Sequence, residues 1–552
     1  MGRLITAEGA VPAVDSLSYT FQGQEWMNHE WLWDVVFWRA YAIAPDAAAW
    51  LNYAIVLAVF ALVYAVTRSA IVCVLVAFVS QGFLDIRPHL ITLLFTGILL
   101  ATRRRPWAPW LWPPLVALWA NLHGGYPFGV GVIAILAVGQ ARRGVARGRL
   151  SLAVGLSVLA MLANPWGYQL LTYPLDYLQP ESPFRSITEW RAPPFGLDPR
   201  SFEGRFWWFA GLGALGLPLA IRRERELVAL AVVTFAMAAT SRRFIPLFAV
   251  TAAPLAGLFV QALGTWLRPG PRVRLAVAVS ALLAAVFLVN GVRLAPRTLD
   301  RWTRADTYPE AALRVLNALG PPKRVLNDYV WGGFILLNAP AAQVFIDQRA
   351  NTVYDEAIVR DYRFFTTGRS GLHQRLAGYG ADAALVRTRS PLAAGLRRDP
   401  GGWVPVYADA LATILVPPDS PLRERTAQAG DHPDALLGRA ERAERRGDLA
   451  GAAALLEEAI ALDPLLLRSY AQLARVNARS GDRAGVTRSI ERGVRAQPRR
   501  SDFLYEAEAH AWESAGEPAL SLEALAHVGR WGPFEDRRRI DRWIARLSAD
   551  GG

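Results

Sequence analysis

The chain has 552 residues, 53% of them hydrophobic, and 60 lysines and arginines against 47 aspartates and glutamates give a formal net charge of +13. Lys323 is the only lysine, and the arginines sit in short loops rather than on one basic face, which argues against a DNA or RNA partner. Cys73 is the only cysteine and lies inside an apolar run, so a disulfide framework and a cysteine metal site are both excluded. No glycine-rich phosphate loop and no serine or cysteine nucleophile triad is visible.

Residues 1–46 come first and read as an external loop ahead of a membrane domain. Its densest stretch is Gly23 to Asp34, GQEWMNHEWLWD, which holds a histidine, two glutamates, an asparagine and three tryptophans. Burying such groups near a bilayer without partners costs on the order of several kcal/mol each, so they are expected to be partnered, hydrated or functional.

Apolar runs able to cross a bilayer follow near 47–66, 70–84, 88–102, 108–120 and 124–141, then 150–165, 205–221, 226–240, 244–264 and 273–293. They predict a transmembrane domain of about ten helices over 47–293. Alternate connections carry Arg68, Arg103-Arg104-Arg105, Arg142 to Arg149, Arg222-Arg223 and Arg268 to Arg274, and the positive-inside rule makes these cytoplasmic. The remaining connections, the N-terminal segment and everything after Arg293 then face outward. Export of residues 1–46 with no membrane segment before them leads to the expectation that a first helix is missing from the start of the sequence.

This orientation gathers His29, Glu30, Asp34, Asp85, Arg87, His89, Asn121, His123, Asn164, Glu189, Arg191, Arg242 and Arg243 on the outward side. Singly each has an ordinary reading, such as a turn at Arg87-Pro88 or a helix end at Asn164-Pro165. Together they carry more weight. Acids beside histidines suit general-base or metal work, and paired arginines suit a phosphate.

Beyond the membrane region, residues 305–416 alternate helix-like and strand-like segments and predict a small α/β domain, with strands at RVLNDY, AAQVFID, DAALVRT and ATILVPP. Residues 433–530 repeat. Gly447-Asp448 recurs after 34 residues as Gly481-Asp482, Pro464 recurs after 34 as Pro498, and a looser third copy carries Gly516-Glu517. This period, with alanines at packing positions, predicts an all-α tetratricopeptide array whose concave face takes a peptide or protein partner.

Several stretches carry a resemblance. Gly9, Pro12 and Asp15 followed by SYTFQGQEWMNHEWL, then DIRPHL (Asp85 to Leu90), LWANLHGG (Leu118 to Gly125), NPWG, TEW, SRRFIP (Ser241 to Pro246), NDYVWGGFI and VFIDQR resemble a bacterial family of polytopic proteins related to the GT-C glycosyltransferases. The likeness runs over most of residues 1–416. It implies transfer of a sugar from a polyprenyl-phosphate carrier to an acceptor at the outer face of the bacterial inner membrane, with the C-terminal domains on the periplasmic side. It also implies an acidic segment ending in Trp-His ahead of Gly9, which has no counterpart here.

Within that expectation Glu30 is the first candidate for the catalytic acidic residue and Asp15 the second. His29, His89 or His123 would assist it or bind a divalent metal ion, and Arg87, Arg242 and Arg243 would hold the donor phosphate. Two other readings stand beside the enzyme. One is a non-enzymatic membrane platform presenting the repeats to envelope or polysaccharide machinery. The other is a polysaccharide polymerase, ligase or transporter.

Overall fold

A computed structural model of the chain describes residues 1–176, 188–266 and 308–550, apart from short stretches near 319–322, 350–351, 399–401, 409–410, 426–432, 463–465, 497–500 and 529–533. Among the described residues the protein is mostly helical, with a small mixed sheet of five strands. It divides into two compact units, the first built mainly from residues 24–301 and the second mainly from 357–552 with 302–350. The expected span at 273–293 lies outside the described residues.

The first unit is a helical bundle. Its helices are α1 (Gly2–Glu8), α2 (Trp31–Ile43), α3 (Pro45–Thr67), α4 (Ala70–Ser80), α5 (His89–Thr102), α6 (Ala108–Leu122), α7 (Tyr126–Arg142), α8 (Arg147–Ala160), α9 (Gln169–Asp176), α10 (Phe202–Ala220), α11 (Arg225–Thr240) and α12 (Ile245–Trp266). Among the described residues two stretches, Ala47–Thr67 and Arg242–Thr265, are long and apolar enough to cross a membrane, whereas the helices at Ala70–Ser80, His89–Thr102 and Tyr126–Arg142 are apolar but shorter. The apolar window of α3 is only 22% buried while that of the Arg242–Thr265 stretch is 72% buried, so α3 is peripheral and α12 central. Accordingly α12 packs on α3, α4, α5, α10 and α11. Trp112, Trp119, Leu99, Ile133 and Phe206 lie inside the bundle, while Leu57, Val74, Phe78, Val138, Leu159 and Val232 stay exposed on its outside.

The lead-in 1–46 differs from the loop expected there. It contains α1 and α2, whose short apolar runs fall well below bilayer length and so leave no span-like signal. Ser16–Gly23 belongs to the second unit.

Helices joined by short connections put their ends alternately at two poles of the bundle. One pole holds Glu224 and Glu226, both nearly fully buried, beneath Arg103, Arg104 and Arg143. Arg104 pairs with Glu224 and Arg143 with Glu226, and Arg103 Nε lies 3.6 Å from Glu224. Buried acids are tolerable only when paired in this way. Gln140 adds two bonds, donating to the carbonyls of Arg103 and Arg105 at 3.0 Å each. The other pole carries the candidate site.

In the second unit the strands β1 (Arg324–Asn327), β2 (Gln343–Val344), β3 (Ala383–Arg387), β4 (Val404–Ala408) and β5 (Ala412–Val416) lie in the order β2-β1-β3-β5-β4. The β1 strand pairs parallel with β2 and β3, and β5 pairs antiparallel with β3 and β4. Trp331, Val325, Leu385 and Ile414 form its core. Segment 16–23 extends the β2 edge: Tyr19 N–H donates to the Val344 carbonyl at 3.2 Å and Val344 N–H to that of Leu17 at 3.1 Å.

Residues 433–527 form three helix pairs, Pro433–Arg445 with Leu449–Leu462, Leu467–Ser480 with Arg483–Ala496, and Ser501–Ser514 with Pro518–His527. Within each pair the turn uses a left-handed glycine, Gly447, Gly481 or Gly516, at φ of 84°, 80° and 77°, a conformation glycine reaches without strain. Asp448 and Asp482 then accept the N–H of Gly451 and Gly485, each at 2.8 Å, and so start the second helix of the first two pairs in the same way.

Candidate functional site

Glu30 stands at the N-cap position of α2, yet its carboxylate makes no cap bond to the helix. Neighbouring side chains fix its place. Asn28 accepts the Glu30 N–H at 3.3 Å and donates to Asp34 at 2.8 Å, tying the turn to the first turn of α2. Trp31 donates its indole N–H to Asn121 at 2.7 Å, and Asn121 in turn donates to the carbonyls of Ala117 and Ala163, both at 2.7 Å. The start of α2 is thereby held against the end of α6 and the segment after α8.

The freed carboxylate faces two imidazoles. His29 Nε2 lies 3.7 Å and His123 Nε2 3.6 Å from the same oxygen, Glu30 Oε1. Both rings are nearly enclosed, and His29 also packs on the Tyr173 ring with centroids 4.7 Å apart. Glycines make room for them. A Cβ on Gly124 would come within 3.0 Å of His29 Nε2, and one on Gly125 would overlap the Thr92 hydroxyl.

Burial, reinforced by the neighbouring Asp34, pushes the Glu30 carboxyl up to about 8 against the pull of Arg243 and the Gly124 N–H. Burial drives His29 down to about 4 and His123 well below the ordinary histidine range, with Arg243 adding to both effects. At neutral pH the cluster therefore holds a largely protonated carboxyl between two neutral imidazoles.

Arginines form the second half of the site. Arg87 donates to Glu189 at 2.7 Å and pairs with Asp85 at 2.8 Å. Arg243 approaches the other oxygen of Glu189 at 3.7 Å, and its guanidinium lies over the Trp190 ring at 5.4 Å. The Thr188–Trp190 turn that carries Glu189 is pinned to the turn at 242–244. Ser241 donates to the Glu189 carbonyl and the Arg242 N–H to that of Arg191, both at 3.1 Å.

The sequence-predicted residues thus divide. Glu30, His29 and His123 come together, and Arg243 influences all three. Arg87 and Arg243 share one acid. Arg242 pairs instead with Glu203 at 2.9 Å, and His89 places Nε2 2.6 Å from the Phe83 carbonyl, an atom that only accepts. Asp15 is buried in a short pairing of residues 14–15 with 24–25, its N–H bonded to the Gln24 carbonyl at 3.0 Å. The carboxylate that acts on Glu30 is that of Asp34. Sequence reading also passed over Thr92, which lies within an apolar helix and carries no motif, and gave no role to Trp119 inside LWANLHGG. For the expected divalent ion, no group of three or more His, Cys, Asp or Glu residues fit to hold a metal occurs among the described residues.

Comparison with known proteins adds no identity. No family model matches the chain, and the search of curated proteins finds no match either.

Proposed function

We propose that this chain is a polytopic membrane glycosyltransferase of GT-C type that moves a sugar from a polyprenyl-phosphate donor to an acceptor hydroxyl at the outer face of the bacterial inner membrane. The observation that carries this reading is the Glu30 carboxyl, freed from capping, flanked by two neutral histidines and raised to about 8 beside Arg243. A carboxylate with a pKa near the working pH is well suited to accept a proton in the transition state.

In this reading Glu30 takes the proton of the acceptor hydroxyl as that oxygen attacks the anomeric carbon. The bond from that carbon to the phosphate oxygen breaks on the opposite side, with inversion. The departing polyprenyl phosphate keeps the electron pair, and Arg87 and Arg243 balance its charge in place of Glu189. The many large apolar side chains left exposed on the outside of the bundle support its immersion in lipid. The arginine-rich and acid-histidine poles fall on opposite ends, as the positive-inside alternation requires.

The three helix pairs with their repeated glycine turns support a tetratricopeptide reading of residues 433–530, which would bring a peptide or protein partner to the outer side. The test is transfer from a panel of polyprenyl-phosphate sugars in membranes carrying the full chain. Transfer dependent on the donor lipid supports the enzyme. Absence of transfer across a broad panel moves the reading to a membrane platform for envelope or polysaccharide assembly.

A further inference from the structure

Away from Glu30, the second half of α7 and the first half of α8 border a groove of about 790 Å³. Its walls include Ala137 and Val138 on α7 and Val154 and Gly155 on α8, and its lining ends at Arg142 and Arg147. The groove is lined rather than filled: Val138 is 63% exposed, and a Cβ placed on Gly155 meets nothing within 4 Å.

The four arginines between residues 142 and 149 are not equivalent. Arg143 pairs with Glu224 and Glu226, and Arg149 lies over the Trp110 ring at 5.5 Å. Arg142 and Arg147 make no ion pair or hydrogen bond among the described residues, and these two are the ones that border the groove. An apolar channel ending in two uncompensated guanidinium groups has the polarity of an anionic lipid.

We propose that the groove binds an anionic phospholipid, its phosphate between Arg142 and Arg147 and an acyl chain along Ala137, Val138, Val154 and Gly155. The inference rests on the membrane reading above. Guanidinium groups suit the planar, multidentate recognition of phosphate oxygens. From Ala134 to Arg142 the helix rises about 12 Å, close to the ~15 Å of hydrocarbon in one leaflet. The arginine end falls on the cytoplasmic side of the proposed topology, where the leaflet is anionic. A second copy is a poorer occupant. Two copies sharing one membrane orientation place their arginines at the same depth, so like charges would meet.

The test uses the full chain in nanodiscs holding equal amounts of phosphatidylglycerol and phosphatidylcholine, with retained lipid read by native mass spectrometry. The wild type should keep phosphatidylglycerol selectively. The double change Arg142→Gln and Arg147→Gln should lower that preference roughly thirtyfold, about fivefold per arginine. Gly155→Leu enters open space, leaves the fold intact and should block retention. Equal retention of both lipids by wild type, or undiminished phosphatidylglycerol in Gly155→Leu, overturns the proposal, the second by showing a simple anion site. A dimer that Gly155→Leu splits, with no dependence on the arginines, overturns it in favour of a second copy. Release of the protein from membranes by alkaline carbonate would remove both the groove and the membrane reading. Retention in the membrane without lipid preference would remove the groove alone.

Discussion

Thr92 Oγ1 lies 2.7 Å from His123 Nδ1, and the groups around this pair set which ring nitrogen carries the proton. The Trp119 indole N–H donates to the same hydroxyl oxygen at 3.0 Å, so the Thr92 hydrogen is free to point at the imidazole. Gly125 N–H donates to Nδ1 as well, at 3.1 Å. With two donors on Nδ1, the neutral ring places its proton on Nε2, toward Glu30. His123 thus turns its Nε2–H toward Glu30 Oε1, 3.6 Å away, and in the proposed mechanism the proton acceptor is Glu30.

Removing that hydroxyl should loosen the tautomer. Thr92→Val is expected to lower the transfer rate about tenfold, the worth of one hydrogen bond to a neutral group. Thr92→Ser should restore it. The check is kcat at matched protein abundance, together with the imidazole nitrogen shifts of His123. Equal loss in the serine variant would assign Thr92 to packing.

Glu30 should make the fold sensitive to alkali. Its carboxyl binds a proton more tightly in the folded chain, at about 8, than at the ordinary 4.5. The stability linked to this group is full below about pH 4.5 and is lost as pH rises through 8. Glu30→Gln does not titrate, so relative to wild type it should melt higher at pH 9 than at pH 5. Thermal melts in detergent at the two pH values measure the difference, and a gap independent of pH would contradict the burial argument.

Glu189 occupies the cationic groups that a donor phosphate would need. Glu189→Gln should therefore lower the donor KM, by roughly fivefold if the displaced pair is worth about 1 kcal/mol. Arg243→Lys should raise KM more than Arg242→Lys, because Arg242 is engaged by Glu203. A donor titration with the three variants separates these outcomes. Equal effects at positions 242 and 243 would return Arg242 to the phosphate site.

The two poles should lie on opposite sides of the membrane. Reporter fusions at Arg104, Arg147 and Arg223 are expected to read cytoplasmic, and fusions at Phe195 and beyond Pro418 external. An external signal at Arg147 or a cytoplasmic one beyond Pro418 would contradict the topology.

Much of this arrangement was legible because its signals are local. Runs such as HLITLLFTGILLAT read as apolar helices, RVLN and ATILV as strands, and the glycine turns at 447 and 481 as a repeat. The β4 strand was missed because Pro405 and a register shift there break its alternation. Helix α2 was missed because tryptophans and Asp34 interrupt a short run. Glu30, His29 and His123 were legible as polar residues at helix ends, but their meeting at one oxygen depends on helices α2 and α6 being brought together through Asn121. The engagement of Arg242 by Glu203 has no sequence signal, since it is set by how α10 packs beside the 242–244 turn. Thr92 escapes for the same reason: a single hydroxyl in an apolar helix usually bonds its own backbone.

The most direct test is the pH dependence of sugar transfer in wild type and Glu30→Gln, in membranes supplied with a polyprenyl-phosphate sugar. If Glu30 is the base, the wild-type rate should climb about tenfold per pH unit and level off near 8, and the glutamine variant should lose at least a hundredfold at unchanged abundance. Full activity in Glu30→Gln, with the same pH profile, would remove Glu30 from the chemistry.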